Sequence, residues 1–439
     1  MVTWPACPRL NCSVAVEDPA PTLLDRLLGG RLWRDLDFVL LWAGQTVSVV
    51  GSQVTLLALP AAAILMLHAS PFQVGLLGAL EFLAFPTLGL VAGVYADRVK
   101  RRWIMIVCDL GRMLALGSIP TAYALGWLSM PLLYVVALLT GVFTVFFDIA
   151  YQSYLPALIP RPKLIEGNSK LEVSRSVAQV AGPAIAGLLL QIVGAARAIA
   201  VDATSFAVSV LSLWAIRRPE PAPAPGTAAA RRGFWAEMWE GIRVVLGNPM
   251  LWKISGCTAT TNLGSNIIFA VYLIFVFRYL HLSPGVVGLI FAAGSAGGLL
   301  GAFSAGALAR RLGLGPALVL GIAGDLALFL VPLAQLGASL PLLVISFLVM
   351  SFGGTVYNVN QVSLRQAITP DHVQGRMNAT VRTIIWGTIP IGSFVGGILG
   401  ERIGVVPTLV VGAIVAALAG IWILAGPVRL REQPVAATA

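Results

Sequence analysis

Long apolar stretches alternate with short polar connections from about residue 38 to residue 427. Runs of about 20 apolar residues, the length that crosses a hydrocarbon core, fall at roughly 38–67, 72–96, 103–125, 131–153, 168–191, 196–216, 250–277, 284–308, 314–335, 341–363, 377–400 and 405–427. A segment in lipid must satisfy its own backbone hydrogen bonds, and these runs are far too long for barrel strands. The pattern predicts an all-α membrane protein with twelve transmembrane helices. The polar island Gly93 to Arg102, GVYADRVKRR, separates two such runs so briefly that the flanking helices must form an antiparallel hairpin, with every loop charge at one interface.

The pattern also repeats. At an offset of 210, Pro160, Asn168, Gly182, Gly187 and Gly194 fall on Pro370, Asn378, Gly392, Gly397 and Gly404. At an offset of 213, Val74, Gly75, Gly93, Arg98 and Gly111 fall on Val287, Gly288, Gly306, Arg311 and Gly324. Collinear matches in two blocks predict two pseudo-symmetric six-helix bundles, residues 31–216 and 250–428. Between them, 217–233 is a Pro/Ala-rich linker with basic ends, and 234–249 carries Trp235, Trp239, Ile242 and Leu246 at helical spacing opposite Glu237, Glu240 and Arg243. That segment reads as an interfacial helix that restrains the hinge. Residues 1–30 lack the apolar core of a signal peptide and are expected to be a disordered cytoplasmic tail, or to follow an upstream start; 429–439 forms a second tail.

Charge then orients the chain. Of its 29 Lys and Arg, 22 lie on one face: Arg9, Arg26, Arg31 and Arg34, the 97–102 island, Arg161 and Lys163, the 217–253 connection, Arg310, Arg311, Arg365, Arg376, Arg429 and Arg431. The other face has three, Arg197, Arg278 and Arg402, while Arg112, Lys170, Arg175 and Arg382 fall within helices. The positive-inside rule makes the basic face cytoplasmic, with both termini there. An inner-membrane, multi-pass location follows, and the net charge of +10 requires no nucleic-acid partner. Hydrophobic residues at 58%, charged residues at 11% and a mean hydropathy of +0.87 exclude a soluble core.

Enzymatic motifs are missing. None of Lys100, Lys163, Lys170 and Lys253 follows a glycine, so no phosphate-binding Walker loop is present. His68, His281 and His372 are scattered, and Cys7, Cys12, Cys108 and Cys257 show no metal spacing. No cofactor, metal or catalytic residue is expected. Carboxylates inside the spans are costly and therefore functional candidates; a low dielectric favours a neutral carboxyl, which lets it exchange protons. Glu81, about ten residues into the second span, and Asp148, in the basic-face half of the fourth, are the proton-coupling candidates. The alternative for either is a structural acid paired with an arginine or hydroxyl. Asp202 and Asp325 are expected nearer a membrane face or beside the polar loop.

Gly93, then Tyr-Ala-Asp-Arg, then Lys-Arg-Arg resembles the signature loop between the second and third spans of major facilitator transporters. FFDIAYQSYLPALIP (146–160), Asn168 and EGIRVVLGNP before the seventh span are similar to a branch holding enterobactin exporters, macrolide-efflux proteins and related multidrug pumps, over about 31–430. The resemblance implies two rocking halves with a substrate site between them near the midplane. It implies a conformational latch of Gly93, Asp97, Arg98, Arg101, Arg102, Asp109 and Arg112, in which Asp97 caps a helix of the other half, and Arg112 with the loop's basic residues completes one network. AGPAIAG (181–187) resembles the Gly-Pro-x-x-Gly-Gly element of exporters; Gly182, Pro183 and Gly187 would pack helices closely, although Ser169 and Ala178 depart from the longer pattern. Ordinary glycine packing is the alternative.

Polar residues on the first, fourth, seventh and tenth spans are the substrate-cavity candidates: Gln45, Ser48, Gln53, Tyr151, Asn262, Ser265, Asn266, Tyr357, Asn358 and Gln361, with interhelical hydrogen bonding as the alternative. The expectation is a monomeric proton-coupled antiporter exporting hydrophobic or amphipathic small molecules such as drugs, macrolide-like compounds or siderophores. A proton-symporting importer and a non-transporting receptor or scaffold are the rivals.

Overall fold

The computed structural model describes residues 31–220 and 234–426, so both tails and most of the linker's Pro/Ala stretch lie outside the described residues. Among the described residues, twelve helices are long and apolar enough to cross a membrane. The spans, in order, are Leu36–Met66, Pro71–Arg98, Arg101–Ala124, Met130–Leu158, Leu164–Val193 and Ala195–Ala215, then Pro249–Ile274, Pro284–Leu312, Leu314–Leu336, Ser339–Ile368, Asp371–Arg402 and Val405–Leu424.

Local chemistry fixes their ends. Asp35 accepts from the Phe38 N–H at the start of the first span, and Ser70 and Gln73 form a reciprocal capping box before Pro71 in the second. Asn248 caps the seventh span ahead of Pro249. Gly194 (φ 80°) and Gly404 (φ 91°) make the tight reversals after the fifth and eleventh spans, in a region that side chains disfavour.

Several elements differ from the hydropathy pattern, among them these. The fifth helix begins at Leu164, after a 3₁₀ turn at Arg161–Lys163; the charge of Glu166 interrupts the apolar run, and its i,i+4 pairing with Lys170 (3.7 Å) suits the helix to carry both. The fourth continues to Leu158, carrying Asp148 and Tyr151 inside the helix. The ninth is not one helix: a 3₁₀ stretch, Gly324–Phe329, interrupts it where Gly324 and Gly353 lie against each other's backbone. The seventh ends in a π turn, Phe275–Tyr279.

Packing reproduces the sequence repeat. In the first half the first span packs on the fifth and sixth, the third on the fourth and sixth, and the second on the fourth. In the second half the seventh packs on the eleventh and twelfth, the ninth on the tenth and twelfth, and the eighth on the tenth. The halves meet where the second span crosses the eleventh and the fifth crosses the eighth. At those crossings Gly75 faces Gly397, and Gly187 faces Gly288, each so close that a Cβ would strike backbone. These four glycines include matched pairs of both repeat offsets. The structure lengthens the repeat as well: LHASPFQVG (67–75) and LHLSPGVVG (280–288) place His68 and His281 in the same left-handed conformation, φ 50°.

The helix Phe234–Gly247 belongs to the second half, packed on the seventh and eleventh spans. Val245 is buried in a cluster with Leu251, Met377 and Val381, while Trp239 and Leu246 are exposed. Its apolar stripe is therefore divided between protein and surroundings. The linker's first residues belong to the first half: Arg218 donates to Asp35 (3.0 Å) and to the Leu158 carbonyl, and the Arg217 N–H donates to Asp37 (2.9 Å).

Candidate functional site

Among the described residues the tight glycine crossings of the halves lie toward the face opposite the basic one, and a cavity of about 1410 Å³ lies on the basic side of them. Its wall comes from the first, second, fourth and fifth spans, with Arg112 of the third and Asp202 and Phe206 of the sixth. From the second half, only Arg382 and Trp386 of the eleventh span line it.

Deepest in the wall is a compact charged group. Arg112 pairs with Asp109, one helical turn away, and both are buried. The Arg112 guanidinium lies 4.3 Å from the ring centres of both Phe147 and Phe206, between the two faces. A planar cation is attracted to the faces of aromatic rings held at such distances. Beside it, Asp202 is 1% exposed and accepts from Thr55 of the first span and from Ser205 (3.0 Å). Gly51 makes room for this pair: a side chain there would collide with Asp202 and Ser205.

Closer to the cleft, Asp148 is faced by Arg112, Arg175 and Arg382. Glu81 lines the cavity one helix over, its backbone carbonyl against Gly141 of the fourth span. Among the described residues no ion pair within 4 Å involves Glu81. Phe85 stacks on Trp386 across the seam at 4.3 Å and 29°, and Arg382 lies 5.6 Å from the Trp386 ring. Gln45 Nε2 and Thr140 Oγ1 are buried cavity-lining groups with no hydrogen-bond partner in the protein.

Of the residues singled out in the sequence, Glu81, Asp148, Gln45, Ser48, Gln53 and Tyr151 line this cavity. Asn262, Ser265, Asn266, Tyr357, Asn358 and Gln361, expected as cavity residues, are not among those that line it. Several of them bond within their own half. Asn266 donates to the Asn262 carbonyl (2.8 Å), Gln361 to Asn358 (3.0 Å), and the Tyr357 hydroxyl to the Ile254 carbonyl (3.2 Å). Gly182 receives the Gln53 side chain closely, Gly187 sits in the seam between halves, and the Pro183 carbonyl faces Gly288.

The expected latch is split in this conformation. The Arg101 and Arg102 N–H groups donate to Glu220 (2.9 and 3.1 Å), Arg101 pairs with it (3.7 Å), and Arg102 donates to the Leu213 and Trp214 carbonyls (2.8 and 2.7 Å). Thus these loop arginines hold the end of the sixth span and the linker. Arg112 is eleven residues further along the same helix, about 16 Å deeper, and belongs with Asp109 to the buried group. Arg98 is exposed, nothing crowds Gly93, and the Asp97 side chain lies outside the described residues.

Sequence reasoning undervalued Asp202, which it expected nearer a membrane face. A signal was present: Asp202, Ser205 and Ser209 recur at i, i+3 and i+7 on one helix face, all three buried. Arg175 and Arg382 were noticed as charges within helices, without a place in the cavity.

Comparison with known proteins follows the same architecture. A family described as transmembrane secretion effector matches residues 33–438. The multidrug efflux pump Tap of Mycolicibacterium fortuitum is 26% identical over 366 residues, covering 79% of this chain and 85% of its own. Macrolide efflux protein A of Streptococcus pyogenes is 26% identical over 395 residues, covering 85% and 91%. Among solved structures, a bacterial homologue of the iron transporter ferroportin in an inward-facing state superposes with a TM-score of 0.70 at 17% identity, covering 90% of this chain and 99% of that one. A bacterial homologue of the lysosomal transporter Spinster, inward-facing and occupied, gives 0.68 at 15% identity, covering 93% and 100%. At such identity these two speak for the fold.

Proposed function

The chain belongs to the transmembrane secretion effector family and is a multi-pass major facilitator transporter, and from that premise we propose that it exports amphipathic small molecules from the cytoplasm in exchange for protons. One observation supports the reading: a cavity lined by Glu81, Asp148 and Asp202 lies on the basic side of the glycine crossings that join the halves. With the basic face cytoplasmic, the structure is the state in which a pump loads cargo from inside.

Two acids divide the work. Neither Glu81 nor Asp148 is in an ion pair within 4 Å among the described residues; Glu81 lacks the arginine neighbours of Asp148, and in this reading it carries the proton and can also hold a cationic group of the cargo. Asp148 lies among three arginines and tunes the cavity's charge as cargo enters. Phe82, Phe85 and Trp386 offer aromatic faces to an apolar body. An inward proton supplies about 2.3 kcal/mol per 100 mV, enough for roughly 50-fold uphill export per proton. The similarity to multidrug and macrolide efflux proteins supports outward transport of such cargo.

The test uses inverted vesicles, whose interior corresponds to the cell exterior. An acid interior should drive uptake of a dimethylamino-bearing macrolide and of tetracycline, and uptake should collapse with a protonophore. Uptake that needs an acid exterior instead supports an importer. No uptake of any toxic compound or iron chelator, with wild-type behaviour of Glu81→Gln and Asp148→Asn, supports a non-transporting scaffold.

A further inference from the structure

Two contacts at the closed face are the same contact made twice. At the end of the fifth span, Gln191 Oε1 accepts from the Gly285 N–H (3.1 Å), in the first turn of the eighth span. At the end of the eleventh, Glu401 Oε2 accepts from the Phe72 N–H (3.3 Å), in the first turn of the second. Gln191 and Glu401 differ by 210, and Phe72 and Gly285 by 213, the two offsets of the internal repeat.

Each contact crosses from one half to the other and satisfies a backbone donor that its own helix cannot. A side chain at position 285 would collide with the Gln191 oxygen. The glycine pairs Gly75–Gly397 and Gly187–Gly288 lie along the same two crossings, and Phe72 meets Phe394 at 5.9 Å. Arg278 adds a third tie, donating to the Ile64 carbonyl (3.0 Å). The seam is therefore closed by side chains standing on helix starts, beyond the glycine crossings and at the water interface.

We propose that Gln191 and Glu401 are paired outer-gate residues, whose caps on the opposite half must both be released before the cavity can open to the exterior. They touch neither the cavity nor the acids within it. Their effect is on the balance between the two access states, and the proposal rests on the alternating-access reading above.

The test is therefore conformational and needs no substrate. In the full chain with its four native cysteines replaced by alanine, Ser393→Cys reports the seam, because Ser393 is 6% exposed and adjoins Gly75. Ser176→Cys reports the cavity, which its residue lines. Labelling by a membrane-impermeant maleimide is followed from the outside for the first and in inverted membranes for the second. Gln191→Ala with Glu401→Ala should speed labelling at 393 by about tenfold, the ordinary worth of two hydrogen bonds, and slow it at 176. Exchanging the pair, Gln191→Glu with Glu401→Gln, should keep both rates within about twofold of the parent. Unchanged labelling at 393 in the double alanine variant would overturn the proposal. So would faster labelling at both positions, which means loosening rather than gating, or an exchanged pair that behaves like the alanine pair. Failure of export with intact gating would instead count against the transport reading alone.

Discussion

Arg112 in the first half and Asp325 in the second occupy equivalent places at the repeat offset of 213, and they live differently. Arg112 is sandwiched by two rings, paired with Asp109 and open to the cavity. Asp325 is 3% exposed, accepts from Thr261 (3.1 Å) and is not among the residues lining the cavity described above. The contrast recurs where the first span crosses the sixth and the seventh crosses the twelfth. Gly51 makes room for Asp202, whereas Gly264 lies against the backbone of Gly412 and Ala416. One backbone plan thus carries two different fillings: most of the charged cavity wall comes from the first half, and the second half lends it Arg382 and Trp386.

That contrast can be broken most severely at Arg112. Arg112→Ala strands Asp109 and should cost about 3–5 kcal/mol in detergent unfolding titrations, while Asp325→Asn, which keeps a partner for Thr261, should cost less than about 1 kcal/mol. Equal losses would erase the distinction between the halves. Next in size is transport. Glu81→Gln should lower proton-driven efflux at least about tenfold with little change in thermal midpoint, whereas Gln361→Ala in the second half should leave efflux within about twofold. Third comes the seam between them: Trp386→Ala removes the one aromatic group that the second half lends the cavity, and should weaken cargo binding by about 0.5–1.5 kcal/mol, measured by tryptophan-independent ligand titration. Smallest is the loop. Glu220→Gln should cost about 0.5–1 kcal/mol of stability, because Arg101 is only partly screened from water and the two N–H bonds to Glu220 can persist to an amide oxygen.

Much of the fold was legible because the bilayer imposes length and the loops carry charge. Gly75, Gly187, Gly288 and Gly397 were readable as repeats, and the structure shows why they are glycines: two pairs of helices meet there with no room for a Cβ. The division of labour was not legible. Hydropathy ranks residues by polarity, but a helix in a membrane is apolar on the lipid side and on the packed side alike, so the pattern does not tell which way Asn262 or Tyr357 turns. Asp202 was hidden for the complementary reason. Its partners Thr55 and Ser205 make it a satisfied buried group, and one of them comes from a distant helix. Asp148 and Glu81 could be found because each stands in an otherwise apolar run.

Seen down its pseudo-twofold axis, the joint between the lobes is isologous, as in a symmetric dimer: the surface that the front lobe offers is the image of the one it receives. Any lesion on one side of the hinge thereby has a mirror position, Gly75 with Gly288 and Gly187 with Gly397, and bulk added at one member strains a pin while its twin stays intact. The molecule is a homodimer's geometry written into one polypeptide, with freedom for each copy to have drifted toward its own trade.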